Sequence, residues 1–270
     1  MSPAAPPAAS LDALRSRLRQ LDRVVVAFSG GADSSFLAWV AHDTLGSERT
    51  LAVTAVSPSL AGAERRDCAA LAGEWGLRWR ELVTDELGSA AYARNDADRC
   101  YWCKDELMRV VGPVAEASGA TVALGVNLDD LGDHRPGQRA AAEHGAVFPL
   151  VEAGFAKSDV RDWSRRLGLR TWDKPAAACL ASRLPYGTPV TLRRLAAVER
   201  AEAGLVALGF RELRVRHYGD TARLEVPLDR LADVVAQREQ VVAAVRGAGY
   251  RYVTLDLEGL RSGNLNTALT

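Results

Sequence analysis

The chain has 270 residues, and its 34 basic and 34 acidic side chains cancel to a formal charge of zero with histidine neutral. No global field gathers a polyanion, which argues against a nucleic-acid partner such as tRNA. At 48% hydrophobic and 25% charged, it reads as a soluble globular protein of one large or two ordinary domains. No apolar run reaches the ~20 residues that span a bilayer.

The Pro/Ala-rich stretch Met1–Ser10 has no basic region, so it reads as a disordered tail rather than a signal peptide, and a cytoplasmic location is expected. An amphipathic helix follows over Leu11–Leu21. The β-branched run Arg23–Phe28 then reads as a strand that enters Ser29-Gly30-Gly31-Ala32-Asp33-Ser34-Ser35 and a helix carrying Phe36, Leu37, Val40 and Ala41. A glycine loop between strand and helix offers backbone N–H groups and a positive helix end to phosphate, with Ser29 and Ser34 as added donors. It lacks the G-K-[ST] ending of a Walker-type loop.

Further strands are expected at Thr50–Ala55, Arg78–Val83, Thr121–Val126 and Val147–Leu150, with helices over Ala61–Trp75 and from the cysteine segment to Ser118. Strands alternating with helices predict an α/β, doubly wound parallel sheet with ligands at the carboxyl ends of its strands. Past Pro185 the pattern becomes a helix (Leu192–Leu208), strands Glu212–His217 and Arg223–Val226, a helix (Leu231–Arg246) and a strand (Tyr250–Leu255). The expected division is residues 11–185 for the first domain and 186–270 for a smaller α+β domain serving substrate binding or oligomerisation. The loop Trp172–Pro189 reads as the hinge.

Of the four cysteines, Cys68 has helical spacing to Ala61, Leu71 and Trp75 and reads as core. Cys100-Tyr101-Trp102-Cys103 is a C-x-x-C expected just ahead of a helix, and Cys179 is remote from it. Disulfides are not expected in a cytosolic chain. Three thiolates can hold a [4Fe–4S] cluster by three irons and leave one open. Zinc with His134 or His217, or bare thiols, are the rivals.

The loop resembles the S-G-G-x-D-S loop of PP-loop ATP pyrophosphatases. Arg99–Lys104, Gly125–Asp130, Asp133–Gly137, Pro149–Lys157, Ala178–Gly187, Arg214–His217 and Asp256–Gly263 extend the resemblance to the LarE family of ATP-dependent sulfur transferases over nearly the whole chain. The resemblance implies adenylation of the carboxylates of pyridinium-3,5-biscarboxylic acid mononucleotide, release of pyrophosphate, and displacement of AMP by sulfur. The product belongs to the biosynthesis of a nickel-pincer nucleotide cofactor. It implies that Ala27, Ser29, Gly30, Gly31, Asp33, Ser34, Thr54 and Gly125 bind ATP, with Asp33 on Mg²⁺. Arg214 and Arg216, alternating on a strand, would hold the anionic substrate. Ser182 and Arg183, close to Cys179, would position the reacting carboxylate, and Lys104, next to Cys103, would contact phosphate or lower thiol pKa values, the catalytic set being Cys179, Ser182, Arg183 and Lys104.

The family has a variant whose cysteine at the position of Cys179 gives up its own sulfur, and one in which three cysteines hold a cluster that carries sulfide. Cys100, Cys103 and Cys179 place this sequence with the second. The expected partners are thus a small nucleotide, sulfide or another sulfur donor, and further copies of the chain. Asp129, Asp130 and Asp133 are expected to cap the following helix. A [4Fe–4S]-dependent tRNA thiolase is the main enzymatic rival, and a non-catalytic ATP- and redox-sensing module is the non-enzymatic one.

Overall fold

Val24, Val25 and Val26 are all fully buried, as befits an interior strand with both faces covered. The computed structural model describes residues 9–132, 136–175 and 178–261. Its elements run α1 (Leu11–Leu21), β1 (Val24–Ala27), α2 (Ala32–Leu45), β2 (Thr50–Val56), α3 (Gly62–Glu74), β3 (Trp79–Val83), α4 (Ala90–Ala93), α5 (Arg99–Glu116) and β4 (Thr121–Leu124). They continue with α6 (Pro136–Glu143), α7 (Pro149–Glu152), α8 (Lys157–Arg166), α9 (Leu192–Ala207), β5 (Arg214–Tyr218), β6 (Thr221–Glu225), α10 (Leu231–Ala236), α11 (Arg238–Gly247) and β7 (Tyr252–Leu255).

The described residues form two compact units: one drawn from Met1–Ser57, Gly62–Glu86 and Cys100–Ala177, the other from Pro58–Ala61, Leu87–Arg99 and Ala178–Thr270. The first carries the expected α/β sheet, with order β3-β2-β1-β4 and every pairing parallel. Side chains alternate across it. Val24 and Val26 join Phe36, Leu37, Leu71 and Phe155 on one face, while Val25 joins Leu107, Met108 and Val111 on the other. Strand order runs outward from β1 through β2 to β3 and then restarts at β4 on the opposite side. The carboxyl ends of β1 and β4 therefore flank the crevice where such sheets take ligands.

Three sequence expectations change. Val147–Leu150 is not a strand: Val147 makes a single parallel bridge to Ala123, and Pro149, lacking an N–H, opens α7 instead. The C-x-x-C lies within the start of α5 rather than ahead of it. Leu231–Arg246 is broken at Gln237, whose φ of −99° and ψ of 22° depart from the helix, giving α10 and α11.

The second unit holds the sheet β5-β6-β7, in which β5–β6 is antiparallel and β6–β7 parallel. Leu205 of α9, Val215, Leu224 and Val245 of α11 are buried in its core. Among the described residues no helix is long and apolar enough to cross a membrane.

A close approach fixes the crevice. A Cβ built on Gly125, just past β4, would lie 2.7 Å from Ser34 N and 2.8 Å from the Asp33 carbonyl carbon in the first turn of α2. Only glycine fits against that backbone. Gly125→Ala should therefore force α2 off the strand, lowering stability by about 1–3 kcal/mol in urea unfolding and weakening ATP binding by calorimetry.

Candidate active site

The loop after β1 is tied by its own serines. Ser34 Oγ accepts from Ser29 N at 3.2 Å, contacts Ser29 Oγ at 3.0 Å and donates to Gly31 O at 3.2 Å. Gly30 sits at φ +70°, which glycine adopts without strain. Gly31 is the N-cap of α2 and supplies no side-chain cap. The first-turn N–H groups of this 14-residue helix are thus left to an anion. Thr54 lies beneath, its hydroxyl donating to Phe28 O at 2.7 Å and accepting from Trp79 Nε1 at 2.9 Å.

Asp33 projects from the start of α2. Its Oδ2 pairs with Lys157 Nζ, and its Oδ1 accepts from Asn127 Nδ2 at 3.2 Å. Asn127 is buried and further fixed by Asp129 N on its Oδ1 at 3.0 Å. Asp130 accepts from Asn127 N at 3.1 Å. Asp129 accepts from Lys157 N at 2.9 Å, so it caps α8, not the helix that follows it. Asp133 and His134 lie outside the described residues.

The donor here is a single carboxylate, a hard oxygen ligand, held by an amide and an ammonium. It fits Mg²⁺, which binds through one or two carboxylates and completes its shell with water and substrate phosphate. Among the described residues no three His, Cys, Asp or Glu side chains form a ready-made metal group.

Behind the loop, a Cβ on Gly30 would meet Cys68 Sγ at 2.9 Å and Lys174 Nζ at 3.7 Å. Lys174 donates to Glu64 at 2.7 Å and Asp67 at 2.6 Å. Burial opposes its charge, but these two acceptors hold its pKa above the usual lysine value. Cys68 is fully buried. Burial pushes its thiol up to about 11, against the hydrogen bond to Thr54 and the charge of Lys174. It is core, and an inert thiol. Cys100 is exposed and Cys103 partly exposed. Their i, i+3 spacing puts both on one face of α5. Lys104 packs where a Cβ on Gly137 would lie 2.8 Å from its Cγ.

In the second unit, exposed Cys179 precedes a 3₁₀ turn, Leu180–Arg183. Two guanidiniums hold the carbonyls of this segment. Arg183 Nη1 donates to Ala178 O at 2.7 Å, Cys179 O at 3.3 Å and Ser182 Oγ at 3.1 Å. Arg216 Nη1 donates to Ser182 O at 2.9 Å. Each guanidinium is also neutralised, Arg183 by Glu202 at 2.8 and 3.2 Å and Arg216 by Glu225 at 3.0 and 2.9 Å. The Arg216 and Glu225 side chains are 3% and 0% exposed.

Arg214 differs. Its pKa is lowered by burial first, then by the positive charges of Arg216 and Arg183, and Nη1 donates to Arg261 O at 3.2 Å. His217 is buried against Tyr250, Nδ1 to hydroxyl 3.1 Å. Burial and then Arg194 lower its pKa, so it is neutral at neutral pH.

A protein-family model described as NAD synthase matches residues 8–98, the segment containing the glycine loop. The pyridinium-3,5-bisthiocarboxylic acid mononucleotide synthase of Lactiplantibacillus plantarum is 39% identical over 258 residues, 95% of this chain and 94% of its own. The chain belongs to the LarE family. An uncharacterized Synechocystis protein, slr1717, is 44% identical over 96% of this chain and 98% of its own. A Methanocaldococcus jannaschii protein, MJ0830, is 24% identical over 89% and 91%. As a LarE-type PP-loop protein the chain is an ATP-dependent sulfurtransferase, using ATP and Mg²⁺.

Within the first unit, the structure brings Ser29, Gly30, Gly31, Asp33, Ser34 and Gly125 together around the crevice. Within the second, it gathers Cys179, Ser182, Arg183, Arg214 and Arg216. Sequence reasoning gave no role to Asn127, Lys157 or Lys174, nor to the carboxylates Glu202 and Glu225. It also missed Asn95, a buried residue at φ +61° that donates to Pro185 O at 2.8 Å and Thr188 O at 2.9 Å and accepts from Arg99 at 2.5 Å. Lys157 and Arg99 stood inside motifs. The two glutamates had no signal beyond helical and strand periodicity.

Glu225→Ala should cost about 3–5 kcal/mol in urea unfolding, because it strands the buried Arg216 guanidinium. Iodoacetamide at about pH 8 should modify Cys100 and Cys179 in the native protein and spare Cys68 until urea is added, read by peptide mass spectrometry.

Proposed function

We propose that this chain converts both carboxylates of pyridinium-3,5-biscarboxylic acid mononucleotide to thiocarboxylates by successive adenylation and sulfur transfer. The observation that carries this reading is an uncapped, glycine-lined helix start beside Asp33, at the sheet's switch point, in a chain that matches a named synthase over 95% of its length.

A substrate carboxylate oxygen attacks the α-phosphorus of ATP, the Pα–O–Pβ bond breaks, and pyrophosphate leaves. Gly30, Gly31, the first-turn N–H groups of α2 and the serines at positions 29 and 34 cradle the leaving pyrophosphate, supplying fixed dipoles where charge develops. Asp33 would hold Mg²⁺, which supplies charge neutralisation on the phosphates when bound. Ala27 lines the adenosine side; Thr54, expected there from the sequence, is buried and supports the loop from beneath instead. A sulfur nucleophile then attacks the acyl carbon, the C–O bond to AMP breaks, and a thiocarboxylate remains. Arg214 is the guanidinium whose charge gains most from an anionic substrate, being half-buried near two other cations. Arg216 and Arg183 brace the turn that carries Cys179, Ser182 serves at the reacting carboxylate, and Lys104, next to Cys103, contacts phosphate or lowers thiol pKa values.

Cys100, Cys103 and Cys179 are the residues that would hold a [4Fe–4S] cluster as the sulfur source. The donors have the right chemistry, being accessible thiols with two of them on one helix face. When bound, the cluster would supply an iron with an open position for sulfide. A second reading is favoured by the exposure of Cys179 and by the absence, among the described residues, of a preformed three-ligand group. In it the Cys179 thiolate displaces AMP to form a thioester; a base then removes the Cα proton, the Cβ–S bond breaks, and the thiocarboxylate leaves with the sulfur while dehydroalanine remains.

Asp33→Asn and Ser34→Ala should each lower pyrophosphate release with ATP, Mg²⁺ and the biscarboxylate nucleotide by about 10²-fold or more. Anaerobic turnover with sulfide, followed by intact-protein mass spectrometry, separates the two sulfur sources. Repeated product formation with iron bound and Cys179 unchanged supports the cluster. Loss of about 34 Da, one H₂S, from Cys179 after one sulfur overturns it. No pyrophosphate release by the unsubstituted chain sinks both readings.

A further inference from the structure

We propose that Lys157 is an exchangeable counter-ion that occupies the metal side of Asp33 until nucleotide arrives, so that the divalent cation enters only together with ATP phosphates. The inference rests on Asp33 being the metal ligand in the reading above.

Both oxygens of the Asp33 carboxylate are taken. Oδ2 pairs with Lys157 Nζ, and Oδ1 accepts from Asn127 at 3.2 Å. The two partners differ in kind. Asn127 is 2% exposed and held at its own N–H and Oδ1 by neighbouring groups. It cannot leave without stranding buried polar atoms. Lys157 has 31% of its side chain exposed, a flexible four-carbon stem and a single ion-pair partner in that network. Its backbone, by contrast, is fixed, because its N–H donates to Asp129 at 2.9 Å at the first turn of α8. The ammonium can therefore move while its root stays beside the loop.

The charge consequence is direct. A divalent cation approaching Oδ2 alone meets an ammonium already there, and like charges at that separation repel. ATP reverses the balance. Its phosphates, seated on the open N-terminus of α2, offer Lys157 a stronger anion than one shared carboxylate. The ammonium then turns to phosphate, and Oδ2 is released to the metal. One lysine thus excludes the bare metal ion and helps bind its nucleotide complex.

Manganese(II) serves as the probe, by electron paramagnetic resonance and calorimetry, with α,β-methylene ATP as the uncleaved nucleotide. In the unsubstituted protein, nucleotide-free Mn²⁺ should bind at Asp33 at least about tenfold more weakly than in the ternary complex. Lys157→Met should bind nucleotide-free Mn²⁺ at least about tenfold more tightly, and the nucleotide at least about tenfold more weakly. Lys157→Gln, which keeps a donor for Asp33 but removes the charge, should shift both affinities in the same directions. If neither variant gains affinity for Mn²⁺ alone, the proposal is overturned. Should Asp33→Asn leave Mn²⁺ in the ternary complex undisturbed, the assignment of Asp33 as metal ligand fails instead, a separate result.

Discussion

The first unit is organised around the contact between Gly125 and the first turn of α2. Strand order breaks between β1 and β4, so the two strand ends diverge and leave a crevice unless something closes its floor. The backbone of residue 125 closes it by lying against Asp33 and Ser34, where a methyl group would stand 2.7 Å from Ser34 N. That approach sets Asn127 within reach of Asp33. The parallel sheet supplies rigidity, since both its faces are covered by helices with fully buried Val, Leu and Phe side chains. A phosphate cradle made of backbone is only as well placed as the strands beneath it.

The second unit solves a different problem, holding a short irregular segment in one shape while leaving its thiol accessible. Carbonyls of an irregular turn need donors, and burying donors without partners is costly. Arg183 and Arg216 meet that need while each is itself matched by a glutamate. Arg99 and Asn95 do the same further along, with Arg99 donating to Ala181 O at 3.0 Å and Asn95 to Pro185 and Thr188 carbonyls. The buried charges of this unit are therefore mostly structural, and they make the conformation around Cys179 specific.

Much of this was legible in the sequence, and the divide is physical. Period-two and period-3.6 apolar patterns report burial, so the sheet strands and α1, α2, α3 and α9 emerge near their observed ends. The glycine loop is legible because backbone geometry demands those residue types. The failures have two sources. Val147–Leu150 is apolar enough for a strand, but Pro149 cannot donate to a ladder, and burial alone did not distinguish bridge from strand. Residues that act through long-range pairing left no local trace: Glu225 accepts from Arg216 of the neighbouring strand, and Lys157 reaches Asp33 over 124 positions. Arg214 and Arg216 read as equivalent from their alternation, and the bidentate pairing with Glu225 is what sets Arg216 apart as a brace.

That separation explains how a chain with zero formal charge can handle a triphosphate and a multiply charged nucleotide. What matters is which cations are already neutralised. Lys174 is held by two carboxylates, Arg183 by Glu202 and Arg216 by Glu225. Each of these pairs is strong, and an incoming anion would have to displace a well-placed acceptor. Arg214 is poorer in partners and crowded by positive charge, and Lys157 shares a carboxylate that a divalent cation can claim. These two have the most to gain from an anion. A uniformly basic surface would bind polyanions without regard to size or shape. Two cations on rigid frameworks, each within its own unit, instead offer an anion defined points of attachment.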